Sequence, residues 1–332
     1  MSKLKNFVTN ILLLLITLAL TLGMTEYVFR LVKTPVSGWE KKQIFHPDLF
    51  TIETPMITWT KKTDEFETVI QTNRSGFRGA PFPTKTELLF IGDSMTAAHQ
   101  VDEEKRFPRL LNGVALGMNG ADPIQELQFY RKIGRALHPN VVIHQIFPFN
   151  DIIEPGPSFT VRNNRINTIM PQKPDEPICM KFWHMKSYFL MRLCEFVRYH
   201  YIKATLSKEH KEKKYGIFEG KIDLDLTFVT LQTFKEEVEK DGGIYIVLII
   251  PYQKEVEGSV SHALYNNILE KLNDFAVIDP LPTFQESNEG IYFPNDGHLT
   301  QAGHKILADL IRLRLGNILY NPEQLSTLSI HE

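Results

Sequence analysis

From residue 87 onward, short continuous apolar runs alternate with stretches of helical periodicity. The runs are ELLFI (87–91), VALGM (114–118), VVIHQI (141–146), IYIVLII (244–250) and FAVI (275–278). Each is short and lacks the polar alternation of a half-exposed strand, so each predicts a strand covered on both faces. Around them the periodicity predicts helices at 104–112, 123–137, 225–240, 262–273 and 301–315. Strands and helices in alternation predict an α/β fold of three layers, α/β/α, built on a doubly wound parallel sheet of about five strands.

The pattern changes before residue 87. Residues 7–24, FVTNILLLLITLALTLGM, carry no charge. As a helix they span about 27 Å, close to the roughly 30 Å hydrocarbon core of a bilayer. The helix can continue to residue 30, so 7–30 is read as an uncleaved transmembrane anchor behind a cytoplasmic tail of residues 1–6. Thr21 and Gly23 make a poor cleavage site, and no lipidation cysteine is present there. Lys3 and Lys5 are balanced by Arg30 and Lys33, so the count of positive charges does not set the orientation. A short tail before a long folded domain favours translocation of that domain. Residues 34–86 hold Pro35, Pro47, Pro55, Pro81 and Pro83 and are read as an extended arm or linker. Residues 87–320 form the main domain.

One segment, 151–224, interrupts the alternation between the third and fourth strands. It holds a polar loop, the aromatic-rich stretch FWHMKSYFLMRLCEFVRYHYI and the charged run KEHKEKK. It is read as a helical insertion. Phe182, Trp183, Tyr188, Phe189, Phe196, Tyr199 and Tyr201 either pack as core, line a pocket or touch a membrane surface.

Composition adds limits. The 332 residues are 43% hydrophobic and 23% charged, with net charge −2 and a pI of about 6.6. No basic field for nucleic acid is present. Cys179 and Cys194 have no metal-ligand spacing. They either bridge in an oxidising compartment or remain two buried thiols.

Ligands of open α/β sheets bind beyond the carboxyl ends of the strands. The residues just past each predicted strand are therefore the candidate chemistry. After the first comes Gly92-Asp93-Ser94, after the second Asn119-Gly120-Ala121-Asp122, and after the third Phe149-Asn150-Asp151. Beyond the fifth comes Asp296-Gly297-His298. An acid and a serine behind a strand are ordinary turn and N-cap chemistry. Together with the other groups they make a set that acyl transfer requires. Ser94 is a nucleophile in need of a base, and Gly120 and Asn150 can supply oxyanion donors. His298 is a base, and Asp296 an acid that orients it. Asp93, Asp151 and Asp279 are read as turn or cap residues. His99, His144 and His304 are read as structural.

The blocks FIGDSMT, LGMNGAD, FPFNDI and PNDGHLTQAGH stand in the order of the four blocks of the SGNH hydrolases, also called GDSL-type esterases. The chain resembles that superfamily from about residue 70 to residue 315. TNRSGFRG, residues 72–79, is similar to the Asn-x-x-Gly-Phe-Arg-Gly segment of membrane-anchored bacterial members. The resemblance implies a flavodoxin-like fold and a serine esterase or O-acyltransferase with an acyl-serine intermediate. It implies Ser94 as nucleophile, His298 as base and Asp296 as its orienting acid. It also implies an oxyanion hole of the Ser94 and Gly120 N–H groups and the Asn150 amide.

Two departures stand out. Only Gly297 separates Asp296 from His298, where two residues are usual, and Phe149 replaces a glycine common before the asparagine. The expected substrate is an acyl ester of an envelope carbohydrate, a lipid or a small alcohol. The expected location is the outer side of a bacterial inner membrane, with no metal or organic cofactor. The alternative is a catalytically inactive carbohydrate-binding or scaffold protein on the same fold.

Overall fold

The computed structural model describes residues 2–32, 42–148, 159–170, 189–190, 193–194, 196–197 and 224–320. They fall into two compact units, one made of residues 1–40 and 174–221, the other of 41–173 and 222–332.

The first unit contains helix α1 (Ser2–Val32). Its 31 residues reach about 46 Å at about 1.5 Å per residue. Lys3–Val28 has a mean hydropathy of 2.2 and none of it is buried within the protein. This is the one helix long and apolar enough to cross a membrane among the described residues. The hydroxyls of Thr9, Thr17, Thr21 and Thr25 donate to carbonyls four residues earlier, at 2.8–2.9 Å. Such back-bonding lets a threonine sit in an apolar medium without an unpaired donor. The backbone N–H of Phe189 donates to Glu26 Oε2 at 2.9 Å. Cys194 is disulfide-bonded, and Cys179, the only other cysteine of the chain, lies outside the described residues.

In the second unit, residues 43–71 are not the extended arm expected of them but two antiparallel hairpins. Strand β1 (Gln43–His46) pairs with β2 (Phe50–Glu53), and β3 (Thr58–Lys62) with β4 (Glu67–Gln71). The prolines that suggested irregularity, Pro47 and Pro55, fall in the connections between strands, where a missing N–H costs nothing. Along β4 exposed and buried residues alternate strictly, the period of a half-covered strand.

The central sheet has the expected strands. They are β5 (Leu88–Gly92), β6 (Val114–Gly117), β7 (Val141–Ile146), β10 (Ile244–Ile249) and β11 (Ala276–Ile278). All pairings are parallel and the spatial order is β6-β5-β7-β10-β11. Counted along the sheet, this is the 2-1-3-4-5 order of flavodoxin-like folds. The turn of direction lies at β5, so the crevice beyond β5 and its neighbours is the natural ligand site.

Each strand feeds two cores, because successive side chains point to opposite faces. Leu89, Ile91, Leu116 and Val247 join the residues of α4 (Pro123–Lys132), α5 (Leu224–Lys240) and α7 (Ala263–Lys271) on one face. Phe90, Ala115, Ile143 and Leu248 join α3 (Phe107–Leu110), α8 (Leu281–Glu286) and α9 (Gln301–Tyr320) on the other. Every residue of β7 is buried, and burial on both faces is why these strands read as mostly apolar runs without period-two alternation. Two one-turn helices, α2 (Ser94–Ala97) and α6 (Gln253–Val256), come directly after β5 and β10.

Part of the insertion expected to be helical is strand. Strand β8 (Phe159–Arg162) and β9 (Arg165–Ile169) form a hairpin. Asn163 and Asn164 turn it with φ of 52° and 55°, the left-handed pair that two-residue hairpin loops demand. The hairpin is fastened by Arg131 Nη2 donating to the Ile166 carbonyl at 2.7 Å. The remaining aromatics, apart from Phe189 and Phe196, and the run KEHKEKK lie outside the described residues.

Candidate active site

The chain enters the site at the end of β5. Gly92 ends the strand, and Asp93, fully buried, caps α2 by accepting the Met95 N–H at 2.8 Å. Asp93 is therefore the turn-shaping residue the sequence suggested. The turn is further fixed by Gln145 of β7, whose Oε1 accepts the Asp93 N–H at 3.2 Å and the Thr96 hydroxyl at 2.9 Å. Gly117 of β6 passes directly beneath α2, and a Cβ there would overlap the backbone of Thr96 and Ala97. Close packing from below and the cap from within leave Ser94 projecting from the first position of the helix.

The segment TNRSGFRG secures the other end of α2. Arg78 is buried and donates to the carbonyls of Ala98 and, at 2.7 Å, Val101. Glu103 faces it at 3.3 Å. Burial, then repulsion from Arg106, lowers the Arg78 pKa to about 10, with Glu103 pulling the other way. The guanidinium remains charged at neutral pH and satisfies carbonyls that the single turn of helix leaves open.

From the far side of the sheet edge comes the loop after α8. Its turn is closed by Gly297 N–H donating to the Phe293 carbonyl at 2.9 Å and Phe293 N–H donating to the His298 carbonyl at 2.9 Å. Gly297 has φ +76°, a left-handed conformation that disfavours any other residue. The turn presents Asp296 and His298 to Ser94. His298 Nε2 lies 2.8 Å from Ser94 Oγ, and His298 Nδ1 lies 2.6 Å from Asp296 Oδ1. With Nδ1–H donating to the carboxylate, Nε2 is the free acceptor for the serine hydroxyl. The His298 and Asp296 side chains are 25% and 20% exposed, so the pair is reachable from solvent.

Burial pushes the Asp296 carboxyl up. The hydrogen bond and charge of His298, with help from Lys61 and Gln100, outweigh it, and the net shift is downward. Asp296 is thus an anion throughout the neutral range.

Gly120 sits on the exposed turn after β6. Asn150 lies outside the described residues, as do Phe149 and Asp151. The structure therefore brings together Ser94, His298 and Asp296 and places Gly120 beyond the neighbouring strand. The single-residue spacing of acid and base is compatible with direct contact because the turn folds both side chains to one side.

His144 and His304, read as structural in the sequence, are buried away from Ser94. His144 is wholly buried, with Nε2 2.6 Å from Glu126 Oε2 and Nδ1 2.5 Å from the Tyr245 hydroxyl. His304 lies buried against Phe107, accepting its N–H at 3.4 Å. Asp279 accepts the Tyr265 hydroxyl at 2.5 Å and the Leu281 N–H at 2.9 Å.

Sequence reasoning missed the share taken by the hairpins. Glu53 at the end of β2 contacts His99 Nε2 at 2.9 Å, and His99 Nδ1 meets the Asn119 amide at 3.1 Å, next to Gly120. Burial lowers the His99 pKa, with Glu53 opposing it. Lys61 of β3 lies near enough for its charge to act on Asp296. The alternation of exposure along β3 and β4 is not mirrored in the apolar and polar residues of TWTKK and ETVIQ, where Val69 is exposed and Thr68 buried.

No family model matches the chain, and no curated relative matches it. Among solved structures it is similar to a GDSL-like lipase from Bacteroides thetaiotaomicron, at 13% identity over 72% of this chain and 92% of that one, with a TM-score of 0.37. It is similar to a lipase/acylhydrolase from Enterococcus faecalis at 13% identity, 68% and 92% coverage and a TM-score of 0.39. It is also similar to a catalytic mutant of an acetylxylan esterase from Geobacillus stearothermophilus at 15% identity, 70% and 94% coverage and a TM-score of 0.37. Independently of those distant likenesses, the sheet has the 2-1-3-4-5 order of the flavodoxin-like fold that the resemblance of the blocks implied.

Proposed function

We propose that this chain is a membrane-anchored serine esterase or O-acyltransferase of the SGNH type. The observation that carries the reading is the placement of His298 between Ser94 Oγ, at 2.8 Å, and Asp296 Oδ1, at 2.6 Å. In the proposed reaction Ser94 Oγ attacks the ester carbonyl while His298 Nε2 takes the hydroxyl proton. The tetrahedral oxyanion is held by the Ser94 and Gly120 N–H groups and the Asn150 amide. Collapse breaks the ester C–O bond, and His298 returns the proton to the departing alkoxide. Water or a sugar hydroxyl then attacks acyl-Ser94 while His298 takes its proton, and the Oγ–acyl bond breaks as His298 returns that proton to Ser94 Oγ. Asp296 holds the imidazole tautomer and balances the imidazolium charge.

The proposed location is the outer face of a bacterial inner membrane, with α1 as the anchor. The uncharged span of α1 and the disulfide at Cys194 support it, since disulfides persist outside the reducing cytosol. An ester of an envelope carbohydrate or lipid is the proposed substrate. The test is a panel of p-nitrophenyl esters of rising acyl length on the full chain in detergent. Turnover that favours one chain length sizes the acyl pocket, and no turnover of any ester would overturn the reading.

A further inference from the structure

The hairpin of β3 and β4 lies outside the four blocks, yet it holds the loop that carries the acid and the base. The turn from Phe293 to His298 bonds to itself through Phe293 and Gly297. Two N–H groups, those of Asn295 and Asp296, point outward. Both donate to one carboxylate, Asn295 N to Glu65 Oε1 at 3.0 Å and Asp296 N to Glu65 Oε2 at 2.9 Å. Glu65 sits in the turn between β3 and β4, where its own N–H donates to Thr63 Oγ1 at 3.2 Å. Its neighbour Phe66 packs on Phe293 with ring centroids 5.1 Å apart.

We infer that Glu65 is a positioning residue of the active site. It grips the backbone of Asp296 and so aims the carboxylate that orients His298. This rests on the proposed esterase reading. Charge-assisted, two-pronged hydrogen bonds fix direction as well as distance. The need arises from the short spacing. With Gly297 alone between acid and base, the Asp296 side chain has no intervening turn of its own to set its angle. A rotation of that short turn moves Asp296 Oδ1 away from His298 Nδ1. Lys61 of the same hairpin acts on the Asp296 carboxylate through its positive charge. Loose positioning by about 1 Å is enough to cost orders of magnitude in rate.

The experiment compares Glu65→Ala, Glu65→Gln, Asp296→Asn and Glu65→Ala/Asp296→Asn with the wild type and Ser94→Ala. All are full chains in detergent, assayed with p-nitrophenyl acetate. Live sites are counted by stoichiometric labelling with a fluorophosphonate, so that misfolded protein does not enter kcat. Glu65→Ala is expected to lower kcat per live site about tenfold with KM within about twofold. Glu65→Gln, which keeps one acceptor oxygen but loses the charge and sets its NH2 against the other backbone N–H, is expected to recover only part of the loss. The double variant is expected to be little worse than Asp296→Asn, because both changes act on one step. A Ser94→Ala variant that is dead beside a Glu65→Ala variant with full kcat per live site overturns this inference alone. Full additivity of Glu65→Ala and Asp296→Asn overturns it as well. Turnover surviving in Ser94→Ala overturns the esterase reading and this inference with it.

Discussion

Two histidine–carboxylate pairs stand in this domain with the same 2.6 Å contact, and only one has the surroundings of an active site. His298 and Asp296 are a fifth to a quarter exposed, and the second imidazole nitrogen faces Ser94 Oγ. His144 and Glu126 have no exposure at all, and the second nitrogen faces the Tyr245 hydroxyl. An imidazole held by an acid is therefore not in itself a sign of chemistry. Position decides. His298 arrives on a loop beyond the carboxyl edge of the sheet, where a substrate can reach it. His144 sits mid-strand in β7, between sheet and helix, where it ties α4 to β10 through Glu126 and Tyr245. Burial there disfavours its cation and lowers its pKa.

The sharpest break between the two pairs is in turnover. Ser94→Ala and His298→Ala should each reduce kcat/KM by at least about 10³, and the double variant should be scarcely worse than either, since the two act as a unit. Ester hydrolysis on full chains in detergent measures this, and full activity in His298→Ala would remove the base from the mechanism. His144→Phe should do the opposite. Removing the buried imidazole takes its hydrogen bond from Glu126 and should cost about 1–3 kcal/mol of stability. Activity per live site should stay within about twofold, as read by denaturant unfolding beside active-site titration.

Asp296→Asn should cost well over tenfold in kcat, because the amide cannot hold the imidazole in the right tautomer or balance its charge. A nearly silent Asp296→Asn would mean that a Ser94–His298 dyad does the work. The smallest effect concerns pH. Burial, then the nearby Arg106 and Arg78, lowers the His304 pKa to about 3, against about 6.5 in the unfolded chain. Above pH about 7.5 the group is almost wholly neutral in both states and contributes little slope. As the pH falls from about 6.5 towards 3, the unfolded state binds a proton that the folded state does not, and stability is lost. His144 adds in the same direction. The limit is about 1.4 kcal/mol per pH unit for each group. Urea midpoints at pH 7.5, 6.5 and 5.5 should fall slightly in the first interval and more steeply in the second, and a flat second interval would place charged imidazoles in the core.

The sheet was legible in the sequence because a strand covered on both faces is apolar at most positions, β7 admitting His144 and Gln145 only with hydrogen-bond partners. All five strands lie where continuous runs placed them, and helices lie at each of the five predicted stretches, although only residues 107–110 of 104–112 are α-helical and α8 was not foreseen. The candidate site was legible in part for a related reason. In a parallel sheet every strand ends at the same edge, so Ser94, Gly120 and the Asp296–His298 loop had to converge once their strands were known. The order of strands, 2-1-3-4-5 rather than any other, was not written in any local pattern.

What only the tertiary structure decided are contacts between segments far apart in the chain. The arm's prolines suggested irregular chain and hid two hairpins, because a half-exposed strand shows a weaker period than a buried one. The Asn-Asn turn at 163–164 was likewise masked by its polar surroundings. That Glu65 meets the backbone of residues 295 and 296 depends on a separation of some 230 positions. Local pattern records which face of an element is wet and which is dry. It does not record which other element covers the dry face, since a hydrophobic contact has no sequence address and a carboxylate accepts from any N–H that the fold brings to it.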